Sequence, residues 1–582
     1  MQRPRSKVSG LLTLDTGPWT LDVGPREGMP KSLKSFILAL SLLASVLLNI
    51  WGQDVACKRP IRFRIALDPE AASKPTSGRL LVFMTESKSE TPPSPQSAND
   101  GWVAAMEVAH LAPGQTIEFN PDLKAYPHPF SQAKIGTYQF MALLDPDHSY
   151  AYNGQNEGDL YGPVVTMEKL SPSDAGAIDL ILNKRTEAKV SAGDTEKVKF
   201  VEFESPSLTA FWGRPILMRA AVVLPPSFGR KASRLYPAVY EVHGFGGSHI
   251  LAANRRVDGL SKAMLEGKQM ERVTVLLDGS FPTGHHEFAD SINNGPWGQA
   301  LTKEFIPYLE RRFGLIPQPY ARFLTGHSSG GWSTLWLQVT YPTYFGGTWS
   351  TAPDPVDLRS FTGIDVTPTS TDNFYRKADG SPRNLIRRNG QPISSIEEFA
   401  RKEEVLGEYG GQFASFEWVW SPKGQDGRPM KLFNRETGEQ DSFVQQAWQK
   451  YDIRLILEKN WTSLEPKLRG KIHLICGTED TFHLEEAVIL LCDFLRQKGA
   501  SDACEMVPGR DHGNLYQSYK TYPDGLSARI AKEMEARFRA GDRKTSSPHR
   551  RVTTGQTQNA PEAGSHDKSR DAAEPSGSGS HD

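Results

Sequence analysis

Residues 326–330, Gly326-His327-Ser328-Ser329-Gly330, set a serine between two glycines. With 51 glycines in 582 residues, that spacing can arise by chance, so its surroundings decide its meaning. "YARFL" ahead of it is strand-like, and "GGWSTLWLQVTY" after it is helical. A serine on a sharp strand-to-helix turn is the setting of a nucleophile elbow. Such a turn strains the backbone and pushes the hydroxyl outward, and small residues at Gly326 and Gly330 let neighbouring elements approach. The N-terminus of the following helix favours negative charge developing beside it. For the motif alone, a structural glycine turn is the plainer alternative.

A serine hydroxyl is a weak nucleophile until a base takes its proton, and the base needs an orienting carboxylate. In α/β-hydrolases these follow in the order serine, acid, histidine. Downstream, "KIHLICGTEDTFHLEEA" (471–487) places Glu479 and Asp480 just past a strand, and "CEMVPGRDHGNLY" (504–516) places His512 just past the next. Asp480 is the expected acid with Glu479 as the alternative, and His512 is the expected base. His327 lies inside the elbow and His473 within a strand, so both fit the base role less well.

Ester cleavage builds negative charge on an oxygen, and each N–H donor placed for it beforehand contributes about 3 kcal/mol. The backbone of Ser329 supplies one donor. The second is expected from the glycine-rich loop "EVHGFGGSH" (241–249), at Phe245 or alternatively Gly244. Phosphate-loop spacings are missing there. His243 and His327 become candidate substrate contacts. "PTGHHEFADSINNGPWG" (282–298) offers His285, His286, Glu287 and Asp290 to a metal, but adjacent histidines do not readily face one ion. The segment is read instead as a substrate loop with His285 and His286 as polar contacts. No metal and no cofactor is expected.

These groups require strands alternating with helices. From about residue 197 the chain has that rhythm. "YPAVYEVHG" (236–244) and "RVTVLLDGS" (272–280) are buried-type strands, followed by strands at 320–325, 346–352, 471–476 and 503–508. Helices are expected at 330–341, 483–498 and 514–538. "WGQALTKEFIPYLERRFG" (297–314) is an amphipathic helix with Leu301, Phe305, Leu309 and Phe313 on one face. The pattern predicts an α/β-hydrolase fold over 197–540 with a mostly parallel sheet and active groups at the strands' carboxyl ends. A turn-rich insert, 354–470, interrupts it and has the character of a lid or binding loop; Trp418 and Trp420 lie within it.

Residues 57–195 read as a small β-sandwich domain, from strand-like runs at 61–67, 78–85, 136–145 and 177–183 separated by Pro, Gly and Ser clusters. "DPDHSYAYNGQNEGD" (145–159) is rich in oxygen ligands but lacks calcium-loop spacing, and is read as a solvated loop. Within the N-terminal extension, 1–56, "MPKSLKSFILALSLLASVLLNIWGQ" is a signal-peptide pattern beginning near Met29. Its apolar run is short for a bilayer span, so the mature chain is expected to be secreted or periplasmic without a membrane span. The tail, 541–582, is nearly devoid of apolar residues and is expected to be disordered. A net charge of −1 gives no footprint for nucleic acid. The four cysteines show no zinc spacing, and export permits a disulfide, for which Cys492 with Cys504 is one possible pair.

"HGFGG", "NNGPWGQALTKEFIPYLERRF", "FLTGHSSGGWSTLW", "GTEDTF" and "DHGNLY" together resemble the esterase D-like family of α/β-hydrolases, which includes trilactone esterases, feruloyl esterase modules and mycolyltransferases. The resemblance covers about 235–352 and 470–516. It implies Ser328 as nucleophile, His512 as base and Asp480 as acid, and places Trp297 of "GPWG" near the pocket. The expected function is a secreted serine carboxylic-ester hydrolase working through an acyl-enzyme on a small-molecule or polysaccharide-linked ester. An acyltransferase of the same fold and an inactive carbohydrate- or surface-binding protein are the competing readings.

Overall fold

Strands around Val239, Val275 and Leu324 are apolar on both faces, so they can only form the middle of a sheet covered twice. The computed structural model describes residues 59–546, apart from 87–100, 188–192, 232, 408, 501–502 and 521. The signal-like segment and the tail beyond 546 lie outside the described residues. The central sheet has eight strands, in the order Val198–Glu204, Leu217–Val223, Val273–Leu277, Ala238–Val242, Arg322–His327, Gly347–Thr351, Ile472–Gly477, Cys504–Val507. The first two pair antiparallel, and the other six run parallel to one another. With helices on the sheet, this is an α/β-hydrolase architecture. Because the six strands point one way, the loops after 242, 327, 351, 477 and 507 meet on one rim.

Leu301, Phe305, Leu309 and Phe313 are all buried against the sheet. Their helix relaxes into a π-turn at Leu301–Phe305, where the Ile306 N–H donates to the Leu301 carbonyl. Pro307 follows and has no N–H for the turn before it, which accounts for the irregularity.

The insert is more regular than its turn-rich sequence suggests. It contains the helices Ile396–Leu406, Gln412–Trp420, Ser442–Trp448 and Ile453–Leu468. Phe361, Phe416, Trp420 and Trp448 share one apolar core with Trp332 and Leu335 of the helix Ser329–Thr340. Trp332 lies between Trp336 and Trp420, with ring centroids 5.1 Å from each. Lifting this segment as a lid would expose the core of the hydrolase itself.

In residues 59–187 a three-stranded sheet (Thr116–Phe119, Arg62–Leu67, Ala177–Leu182) and a seven-stranded sheet share a core through Phe63, Ile65, Val82, Met84 and Phe140. The alternate residues Leu81 and Phe83 point the other way and pack on Tyr150, Val405 and Leu406. Both faces of "LLVFM" are therefore buried, which explains its unbroken apolar run. Arg79 donates to the carbonyls of Glu404 (3.2 Å) and Val405 (2.6 Å), the last turn of the insert's first helix, where carbonyls lack helical partners.

The expected solvated loop at 145–159 contains a short helix, Tyr150–Asn153, whose Tyr150, Ala151 and Tyr152 are buried. The aromatic spacing had a packing purpose that the surrounding acidic residues hid. Near the C-terminus the last helix begins at Leu526 instead of 514, because Pro523 and the left-handed Gly525 interrupt it, and it runs to Ser546, into the stretch expected to be disordered. Cys492 and Cys504 form a disulfide. Among the described residues no helix is long and apolar enough to cross a membrane.

Candidate active site

Strand Arg322–His327 ends at Ser328, and helix Ser329–Thr340 starts immediately after it. Ser328 has φ 60° and ψ −128°, a strained conformation for a residue with a side chain. Its N–H donates to the Thr351 carbonyl at 3.0 Å. A Cβ on Gly326 would stand 2.2 Å from the Gly330 oxygen, and one on Gly330 would stand 2.0 Å from the Val242 oxygen. No residue larger than glycine fits either position, which meets the spatial demand of an elbow.

Across the same rim, His512 Nδ1 lies 2.7 Å from Asp480 Oδ2. Asp480 is fully buried, whereas Glu479 is exposed, so only the former is set against the imidazole. Burial opposes ionisation of Asp480, but the adjacent His512 and the Phe482 N–H outweigh it and hold the carboxyl below the usual range. Burial likewise opposes a charged His512, yet the attraction and hydrogen bond of Asp480 raise its pKa. With Nδ1 on the carboxylate, Nε2 is the nitrogen left for a reacting group. The His327 ring lies 4.3 Å from that of His512; burial, then the neighbouring imidazole, lower it to about 3, so it stays neutral.

The rim also carries a second carboxylate, which the sequence pattern places inside the insert. Asp354, past the end of strand Gly347–Thr351, is buried with Oδ1 3.4 Å from Ser328 Oγ and Oδ2 2.6 Å from Ser329 Oγ. Its strand is the immediate neighbour of the elbow strand, whereas that of Asp480 is one further away. The available signal is an aspartate at a strand's carboxyl end, in "TAPDP", which also satisfies the serine–acid–histidine order; its place at the start of the turn-rich insert obscures it. Behind it the Glu287 carboxyl accepts from Ser333 Oγ at 2.8 Å and, chiefly through burial, is raised well above its ordinary value.

The glycine-rich loop after Val242 closes over the serine. A Cβ on Gly244 would lie 3.1 Å from that of Ser328. Tyr152 packs its ring edge-on to Phe245 at 4.7 Å and donates its hydroxyl to the Gly247 carbonyl at 3.2 Å. His243 holds the loop from inside, with Nδ1 2.8 Å from the Gly244 carbonyl and Nε2 accepting from the Gly279 N–H at 2.9 Å. His285 and His286 are fully buried, the latter stacked on Trp297 at 3.7 Å, and Trp297 is buried too. All three present no surface to a substrate in this conformation and act as packing. Beside Asp354 lies a mainly apolar cavity lined by Phe361, Phe413, Phe416 and Phe482, and the ring of Phe482 meets that of His512 at 5.0 Å.

A family model described as "Putative esterase" matches residues 216–520, more than half of the chain. No curated protein matches the chain in sequence. Similar solved structures include a ferulic acid esterase, with 14% identity and a TM-score of 0.37 over 59% of this chain and 98% of that one. A fluorophosphonate-binding serine hydrolase of Staphylococcus aureus shows 16% identity and a TM-score of 0.34 over 58% and 97%. An S-formylglutathione hydrolase from Agrobacterium tumefaciens shows 16% and 0.33 over 60% and 98%.

Proposed function

The chain belongs to that esterase family, and from this premise we propose that it is a secreted serine carboxylic-ester hydrolase acting through an acyl-enzyme on Ser328. Ser328 Oγ attacks the ester carbonyl carbon while its proton passes to His512 Nε2. Asp480 keeps the Nδ1 proton in place and stabilises the resulting imidazolium. The carbonyl oxygen takes up the displaced electron pair and receives hydrogen bonds from the backbone N–H of Ser329 and of Phe245 or Gly244. The tetrahedral centre collapses, the C–O bond to the alcohol breaks, and His512 returns its proton to the leaving oxygen. Water repeats the sequence on the acyl-enzyme and frees Ser328. The residues of this chain supply every step, without a metal or cofactor in it.

The observation that carries this reading is the Asp480–His512 contact of 2.7 Å on the rim where the strained Ser328 stands. The β-rich segment 57–195, read as a sandwich, supports the loop that carries the second oxyanion donor. Export rests on the signal pattern near Met29 together with a disulfide suited to an oxidising compartment. The direct test compares p-nitrophenyl acetate hydrolysis and fluorophosphonate labelling of the wild type with Ser328→Ala. Loss of both in the variant is expected; equal rates would remove the proposal.

A further inference from the structure

We propose that Asp354 is a positioning residue of this reaction centre, whose carboxyl must stay protonated and whose ionisation disarms Ser328 on the alkaline side. The inference rests on the reading of Ser328 as nucleophile. The carboxyl is 1% exposed and spans two adjacent hydroxyls, at 3.4 Å (Ser328) and 2.6 Å (Ser329). The titratable groups that act on it are Glu287, Asp480 and His512. Two of those are carboxyls, and among the described residues no lysine or arginine forms a salt bridge with Asp354. A buried carboxylate beside other carboxyls and without a cationic partner keeps its proton. Burial and Glu287 accordingly push Asp354 up to about 7, against the opposing pull of the Ser329 hydroxyl and His512.

The position of one proton then decides what the serine can do. With Asp354 neutral, Ser329 Oγ–H donates to Oδ2, and the acid's own proton on Oδ1 is donated to Ser328 Oγ. The hydrogen of Ser328 stays free for His512. With Asp354 ionised, Oδ1 becomes a strong acceptor and takes the Ser328 hydrogen for itself. The same negative charge also opposes the oxyanion that forms next to Ser329 N–H. These two effects oppose and outweigh the help that the same charge gives to the His512 imidazolium, so activity falls as pH rises through the titration of Asp354. A triad in which only the histidine titrates would instead reach a plateau.

The test is the pH dependence of fluorophosphonate labelling and of kcat/KM for p-nitrophenyl acetate, between about pH 5 and pH 10. The wild type should fall about tenfold or more on the alkaline side. Asp354→Asn presents a permanent amide donor to Ser328 and should hold a flat plateau there while keeping the acid limb. Ser329→Ala removes the hydroxyl that stabilises the ionised form, so its alkaline limb should move to higher pH; this variant decides the matter if the first does not fold. A wild-type plateau, or an alkaline limb unchanged in both variants, overturns the inference while leaving the serine esterase intact. A wild type that neither labels nor hydrolyses at any pH sinks the esterase reading, and the inference with it.

Discussion

Asp480 and Asp354 both lie just past the carboxyl end of a parallel strand in one sheet, and both are buried almost completely. Their protonation goes opposite ways. Asp480 is held below the ordinary range, while Asp354 is pushed to about 7. Burial raises both, so the difference comes from the partner. Asp480 faces an imidazole that can become positive, whereas Asp354 faces two hydroxyls and a second buried carboxyl. Depth in this protein therefore does not set charge; the group facing the carboxyl does.

Asp480→Asn should have the largest effect, lowering kcat about 10⁴-fold with the fold retained, because the imidazole loses both its orientation and its counter-charge. Since Asp480 raises His512, the remaining activity should also show its acid limb at lower pH. A loss under about tenfold would mean that Asp354 or Glu479 fills the acid role.

Stability should separate the two aspartates next. Asp354 binds its proton more tightly when folded than when unfolded, so its contribution is present at low pH and is lost as pH rises from about 4 through about 7. Asp480 has the opposite sign: its contribution is present at neutral pH and is lost as pH falls through its lowered folded value. Thermal melts of Asp354→Asn should therefore gain on the wild type as pH increases, by several degrees near pH 8 for a difference of a few kcal/mol. A constant offset across pH would contradict the raised carboxyl.

The smallest effect belongs to a residue that touches neither aspartate. Tyr152→Phe removes the hydrogen bond to Gly247 and loosens the glycine-rich loop proposed to carry the second oxyanion donor. A cost of about 1 kcal/mol corresponds to roughly a fivefold fall in kcat. KM and both pH limbs should stay where they are, and a shifted limb would show that the loop and the carboxyls are coupled.

Much of this was legible in the chain. The alternating strands and helices after residue 197, the glycines at 326 and 330, and the downstream Asp480 and His512 follow from periodicity and from what a strained serine needs around it. Other features were not. The buried Tyr150–Tyr152 helix was hidden by acidic neighbours, and His285 and His286 looked like substrate contacts because a sequence pattern does not report that both rings are covered. The helices of the insert are short and separated by glycine and proline, so their apolar faces make sense only against Trp332 and Trp336 of the elbow helix.

Sequence alone determined the kind of fold and which residue types were available for chemistry, because hydrophobic period and turn residues are local properties that survive without any knowledge of neighbours. Tertiary structure alone decided that Asp354 stands closer to the serine's strand than Asp480 does, and that the β-rich segment presses a tyrosine on the glycine loop. Strand order in a sheet differs from order along the chain, and a carboxyl's charge depends on the groups which that order brings within reach.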